Sequence, residues 1–182
     1  MLNQLCLPEP NLLLPQIWHQ TPASMADMHL LPGKPDLDFA NNVSVGVGII
    51  LLPKTGGICL QERDEFAPRS PGLIANWSGG ADEGDDTDAD ATALRELDEE
   101  LGIEANADEL IFLGAHRTLL PDGFAQSYRY AMKIDMHRMT KCDEGIGPKF
   151  FKNVQQALAE PLLHRPGTQW SLLECRKRGL VL

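Results

Sequence analysis

The sequence predicts an α/β fold in which helices pack on both faces of a mixed sheet. Three observations predict it. A β-branched apolar run, Val43 to Leu52, is followed by a turn and a second short run, Ile58 to Arg63. A stretch from about 88 to 101 has apolar residues at helical spacing. Two further strand-like segments, 108–119 and 126–135, precede a helical C-terminal part. The resulting order is strand, strand, helix, strand, strand, loop, helix, helix.

The first run, Val43-Ser-Val-Gly-Val-Gly-Ile-Ile-Leu-Leu52, reads as a buried strand. Pro53 to Gly57 supplies a turn, and Ile58 to Arg63 the returning arm of a hairpin. Leu73 to Trp77 is a short extended piece that leads into Ser78-Gly79-Gly80. Two glycines let a backbone approach a ligand closely or take φ > 0.

Ala81 to Asp90 holds six acidic residues in ten. Thr87 or Asp88 caps the helix that follows, and Asp90 adds favourable charge to its first turn. Gly102 stops that helix. Leu94, Leu97 and Leu101 form its buried stripe. Pro121-Asp122-Gly123 joins the next two strands. Tyr128 and Tyr130 flank Arg129 and are expected in the core. A loop over 136–147 carries Asp143-Glu144-Gly145. Helices are expected over 154–163 and 168–177, the last with Trp170 on its inner face.

Residues 1–41 are a proline-punctuated arm in front of a domain over 42–182. Proline at this density forbids long helices and central strands. The apolar residues Leu12, Leu13, Leu14, Ile17 and Trp18 suit an arm laid over the domain or over a partner subunit in a homodimer; a loosely ordered leader fits as well.

The chain has 182 residues, is 43% hydrophobic and carries a net charge of -10. That is enough for one domain with a full core. The negative charge argues against binding a nucleic-acid backbone. An anionic phosphate ligand then requires metal ions or local arginines. Cys6, Cys59, Cys142 and Cys175 make no Cys-x-x-Cys pair and read as free thiols. No basic segment followed by an apolar one opens the chain, and the longest apolar run is about half a membrane span. A soluble, cytoplasmic protein is expected.

Chemistry concentrates in Arg95-Glu96-Leu97-Asp98-Glu99-Glu100-Leu101-Gly102-Ile103. Glutamates at i, i+3 and i+4 place three carboxylates on one face of a helix, where they repel one another. A divalent cation turns that repulsion into binding, and carboxylate oxygens suit Mg²⁺ or Mn²⁺. Arg95 is placed to bond Glu99 at i+4.

This string resembles the core of the Nudix box, the motif of the Nudix hydrolase superfamily. The second half of the box matches at every specified position. In the first half, Trp77 and Gly79-Gly80 are family-like, but the strict glycine falls on Ala81 and the first glutamate on Thr87. Asp85 or Asp86 supplies an acidic group close by.

The resemblance covers about residues 42–165. It implies an α/β/α sandwich around a mixed sheet. The activity it implies is metal-dependent pyrophosphohydrolysis of a nucleoside diphosphate derivative: a nucleoside triphosphate, a sugar nucleotide or a dinucleotide. The metal ligands it implies are Glu96, Glu99 and Glu100, with the carbonyl of Gly80. Glu99 or Glu144 acts as base, and Arg95 orients a carboxylate. Arg63 and Gly79 face the substrate; for Arg63 a surface salt bridge is the competing reading. Three other readings remain beside it. A non-catalytic nucleotide-binding regulatory module is kept open by Thr87. An isoprenoid diphosphate isomerase would need a reactive cysteine in the pocket. A plain acidic interaction domain would bind no Mg²⁺.

Overall fold

A computed structural model describes residues 28–67, 70–84, 86–164 and 166–182. Most of the N-terminal arm, with Cys6, lies outside these residues, as does Asp85.

Among the described residues, eight strands form one mixed sheet. They are β1 (Met28–Leu31), β2 (Ser44–Pro53), β3 (Ile58–Glu62), β4 (Ile74–Ala75), β5 (Trp77–Gly80), β6 (Leu110–Leu120), β7 (Gly123–Ile134) and β8 (Gly147–Phe151). The helices are α1 (Ala89–Leu101), α2 (Val154–Leu158) and α3 (Gly167–Lys177). The sheet runs β1-β6-β7-β2-β3-β4, with β5 on β2 and β8 on β3. The β2–β7 pair is parallel, and the other pairs are antiparallel.

The central strand β2 sends alternate residues to two cores, as a pleated strand must. Val45, Val47, Ile49 and Leu51 join Trp77, Tyr128, Tyr130 and the buried side of α1. Ile50 and Leu52 join Leu60, Leu113, Ala131, Phe151, Val154 and Leu172. The sheet is therefore buried on both faces, between α1 on one side and α2 with α3 on the other. This is the α/β/α arrangement.

Helix α1 starts where Asp88 accepts a hydrogen bond from the backbone N–H of Ala91 at 2.9 Å. It ends at Gly102, in the left-handed region at φ 61°. Its buried stripe is Ala89, Ala93, Leu97 and Leu101, spaced by four, while Leu94 is only half-buried. Two alanines let the first turns approach the sheet closely, so the stripe is displaced from the expected Leu94–Leu97–Leu101 line.

Four local expectations are revised. The helix expected over 154–163 ends at Leu158; Pro161 cannot continue it and disfavours helix at Glu160. The segment expected to be loop as far as 147 runs directly into β8, whose residues pair with β3 from Ile58 to Glu62. Met28–Leu31 is an edge strand on β6, ended by Pro32; proline tolerates an edge where it forbids a centre. The extended piece expected over Leu73 to Trp77 continues as strand through Gly79 and Gly80, which pair with Val47 and Gly46.

Candidate active site

The acidic helix, the Gly79-Gly80 strand end and the Asp143–Gly145 loop meet at one end of the sheet. Arg95 is the hub. Its Nη2 donates to the carbonyl of Gly80 at 2.7 Å and to Asp86 at 3.0 Å. Its Nη1 donates to Glu96 at 2.8 Å and to Glu99 at 2.9 Å. One guanidinium thus ties α1 to the end of β5 and to the acidic loop. Against the cost of burial, this arginine holds the Asp86 carboxyl below its ordinary range.

Glycine at 79 leaves the space that the Glu96 carboxyl occupies. A Cβ there would fall 1.8 Å from the carboxyl carbon of Glu96. Gly46, across the pair, is more tightly constrained, since its Cβ would lie 2.6 Å from the backbone carbonyl oxygen of Gly79, whereas the Glu96 side chain can swing aside. Close approach at Gly79, and not a positive φ, is what the Gly79-Gly80 pair supplies; a Cβ on Gly80 would meet only the Val45 carbonyl oxygen, at 4.0 Å.

The three glutamates do not share one exposed face. Glu96 and Glu99 converge on Arg95, and the Glu99 side chain is 59% exposed. Glu100 turns to the buried flank and is only 5% exposed. Burial, then the nearby Glu144 and Glu96 carboxylates, push the Glu100 carboxyl up to about 8, with Arg63 opposing. Glu96 is also raised, chiefly by burial, with Arg95 opposing. Glu144, from a loop more than forty positions on, is thereby brought to Glu100.

Arg63 lies just past β3 and donates to Gln61 Oε1 at 2.9 Å. With Asp64, Phe66, Asp143 and Glu144 it lines a cleft of about 390 Å³. The site residues named from the sequence therefore fall in two linked groups: Arg95, Glu96, Glu99, Gly79 and Gly80 around the guanidinium, and Glu100, Glu144 and Arg63 beside the cleft. Among the described residues, no three His, Cys, Asp or Glu side chains are gathered closely enough to hold a metal ion. The oxygen-only donor set (Glu96, Glu99, Glu100, Glu144 and the Gly80 carbonyl) nevertheless suits a hard divalent cation.

Sequence reasoning missed Asp86 as a direct Arg95 partner, and it missed His116 and His164. Burial pushes the His116 imidazole down to about 3 and that of His164 to about 4, with Arg129 adding to both shifts. Isolated histidines carry no spacing signal that could have revealed them.

The sequence model of the NUDIX domain matches residues 43–149, from the start of β2 into β8. The chain belongs to the NUDIX domain family. No curated protein matches it. Solved structures of similar fold include the MutT protein from Methanosarcina mazei Go1, at 15% identity and TM-score 0.58, covering 79% of this chain and 99% of that one. The Bacillus subtilis pyrophosphohydrolase BsRppH is 18% identical with TM-score 0.56, over 85% of this chain and 93% of that one. The NUDIX domain of Shewanella oneidensis NrtR, solved with ADP ribose, is 19% identical with TM-score 0.56, over 74% and 87%. At these identities the likeness is one of fold. Arg95 to Ile103, the string that resembles the second half of the box, lies within the matched residues, as does Thr87.

Proposed function

We propose that this NUDIX protein hydrolyses a phosphoanhydride bond in a nucleoside diphosphate derivative, with Mg²⁺ or Mn²⁺ as cofactor. The observation that carries this is Glu100: a buried carboxyl stands close to two others, half-buried Glu96 and exposed Glu144, the latter lining the cleft. Like charges out of water are costly unless a proton or a cation joins them.

Glu96, Glu99 and Glu100, with the Gly80 carbonyl, would hold the cation, which when bound offsets negative charge on the phosphate oxygens. Arg95 keeps Glu96 and Glu99 in position. Arg63 faces the substrate from the cleft wall. Gly79 leaves room for Glu96 at the strand end. Glu144 or Glu99 accepts the proton of the attacking water, a role that needs a carboxylate within hydrogen-bond reach. Phosphoryl chemistry asks for little more than such positioning and charge.

The test is phosphate release, through coupling phosphatase and pyrophosphatase, from a panel of nucleotides and nucleotide conjugates. It is run with Mg²⁺, with Mn²⁺ and with EDTA, beside the Glu99→Gln/Glu100→Gln double variant. Metal-dependent turnover that vanishes in the variant supports the reading. Nucleotide binding without turnover supports a regulatory module instead, the reading favoured by the engagement of Asp86 with Arg95 and by Thr87.

A further inference from the structure

The cleft beside Glu144 extends past the groups that the hydrolytic chemistry uses. Gln61 and Phe66 line it together with Arg63, Asp64, Asp143 and Glu144. At about 390 Å³ it falls within the ~300–1,000 Å³ of small-molecule sites. It lies on the side of the acidic helix. Side chains alternate along a strand; Cys59 of β3 enters the core shared with α1, and Gln61, two positions on, takes the same face. Arg63 and Glu144 both act on the charge of Glu100, so the cleft adjoins the carboxylates of α1.

Two side chains of the lining point to a ligand. Gln61 is 0% exposed, and its Oε1 accepts from Arg63 Nη1 at 2.9 Å. Among the described residues its Nε2 has no partner. A buried donor is rarely left so, and in the wall of an open cleft it suits an acceptor on a ligand. Phe66 is 84% exposed. A single exposed phenylalanine needs no explanation by itself; this one stands in the cleft wall. Its backbone is fixed there. Phe66 N–H donates to Asp64 Oδ1 at 2.7 Å. The Asp64 carbonyl accepts from Gly72 N–H at 2.9 Å, and Arg63 N–H donates to the Leu73 carbonyl at 2.9 Å, which closes the neck of the loop. A ring on two rotatable bonds then costs little to order against a ligand.

Charge decides which end of a nucleotide enters. Asp64, Asp143 and Glu144 accompany a single guanidinium, Arg63, in the lining. Lys141 pairs with Asp143 at 3.1 Å, and the balance is still negative. Such a lining repels phosphates that no cation covers. The neutral end of the ligand therefore enters the cleft, and its phosphates lie towards Glu96, Glu99 and Glu100. A nucleobase brings a flat face for Phe66 and an acceptor for Gln61.

We propose that Phe66 is the stacking platform for the nucleobase of the substrate, which lies in the cleft walled by Gln61 and Arg63. Every base has a π-face, so the platform selects nucleotides over diphosphates that carry no aromatic ring, with little choice among the four bases. The proposal rests on the reading of this protein as one that acts on nucleotides.

The test is equilibrium binding of AMP, GMP, CMP, UMP and ribose 5-phosphate in Mg²⁺, by titration calorimetry, to the wild type, Phe66→Ala and Phe66→Trp. None of the five has a phosphoanhydride bond, so no turnover disturbs the titration. The four nucleotides are expected to bind about five- to hundredfold more tightly than ribose 5-phosphate, the factor that a base–aromatic stack supplies. Phe66→Ala should bring them down to the level of ribose 5-phosphate and leave that ligand unchanged. Phe66→Trp should keep the wild-type ranking. Both variants should keep the wild-type melting midpoint, since the ring is on the surface. This pattern of binding without turnover of any nucleotide would keep the platform and remove the hydrolase reading. Turnover with a kcat/KM that does not fall in Phe66→Ala would do the reverse. No binding of any nucleotide, nucleotide affinities unchanged in Phe66→Ala, an equal loss for ribose 5-phosphate, or Phe66→Trp as weak as Phe66→Ala would overturn the proposal.

Discussion

The backbone N–H of Asp143 donates to the carbonyl of Glu100 at 3.0 Å, fastening the loop of Glu144 to the end of the acidic helix. Two neighbouring bonds reinforce it: Thr140 N–H donates to the Leu101 carbonyl at 3.0 Å, and Thr140 Oγ1 to the Gly102 carbonyl at 3.2 Å. The last carbonyls of a helix have no partner within it. Here a distant loop supplies the donors, and in doing so it delivers a fourth carboxylate to the site.

Glu100→Gln is expected to remove metal-dependent turnover and leave the metal-free fold intact. The substitution removes the carboxyl from the buried position beside half-buried Glu96 and exposed Glu144. A melting midpoint equal to or above that of the wild type in EDTA, with turnover at background, is the expected pair of readings. Full activity would mean that Glu100 does not hold the cation.

Leu97→Ala should cost about 2–5 kcal/mol of stability, the range for truncating a buried leucine. Leu97 is 1% exposed, in the core between α1 and the sheet. Chemical denaturation checks it. At temperatures where the variant stays folded, turnover should be close to that of the wild type.

Gly79→Ala is expected to leave a folded protein with turnover reduced at least ~tenfold, because even a small displacement of a catalytic group is felt strongly. The new methyl occupies the place of the Glu96 carboxyl group. Steady-state kinetics at several Mg²⁺ concentrations should show a raised metal requirement, which a purely global destabilisation would not produce.

Arg95→Lys should also be damaging, although it keeps the charge. Lysine cannot hold Gly80, Asp86, Glu96 and Glu99 at once as a guanidinium fork does. A lower kcat with a weakened Mg²⁺ dependence is expected, read from initial rates across a metal titration.

Acid should destabilise the protein through His116. Its folded pKa, about 3, is below the ordinary 6.5. Above pH 6.5 the group is neutral in both states and costs nothing. As pH falls from 6.5 towards 3, the unfolded chain takes up a proton that the folded one refuses. Stability then falls by at most about 1.4 kcal/mol per pH unit for this one group. Urea denaturation at pH 7 and pH 5 checks the slope, and His116→Gln should flatten it.

Much of this protein was legible in its sequence because the signals are local. The α1 helix is written in Asp88, in the apolar repeat that includes Leu97 and Leu101, and in Gly102, all within a few turns of one another. Strand β2 is written in its β-branched run, and the Arg95–Glu99 bond in an i+4 spacing. The family match over residues 43–149 spans these elements.

The tertiary structure decided what depends on residues far apart in the chain. That Glu100 is buried while Glu99 is exposed follows from the packing of the Asp143–Gly145 loop against the end of α1, which no helical spacing encodes. That residues 147–151 form a strand follows from the unpaired edge of β3. Arg129 read as one polar residue between two tyrosines. Only the register of β7 on β2, together with the start of α3, sets its guanidinium over Gly48, beside His116 and Asn76. Sequence periodicity specifies which face a residue takes within its own element, because the backbone repeat is local. Which group it meets there is set by pairing and packing across the whole chain.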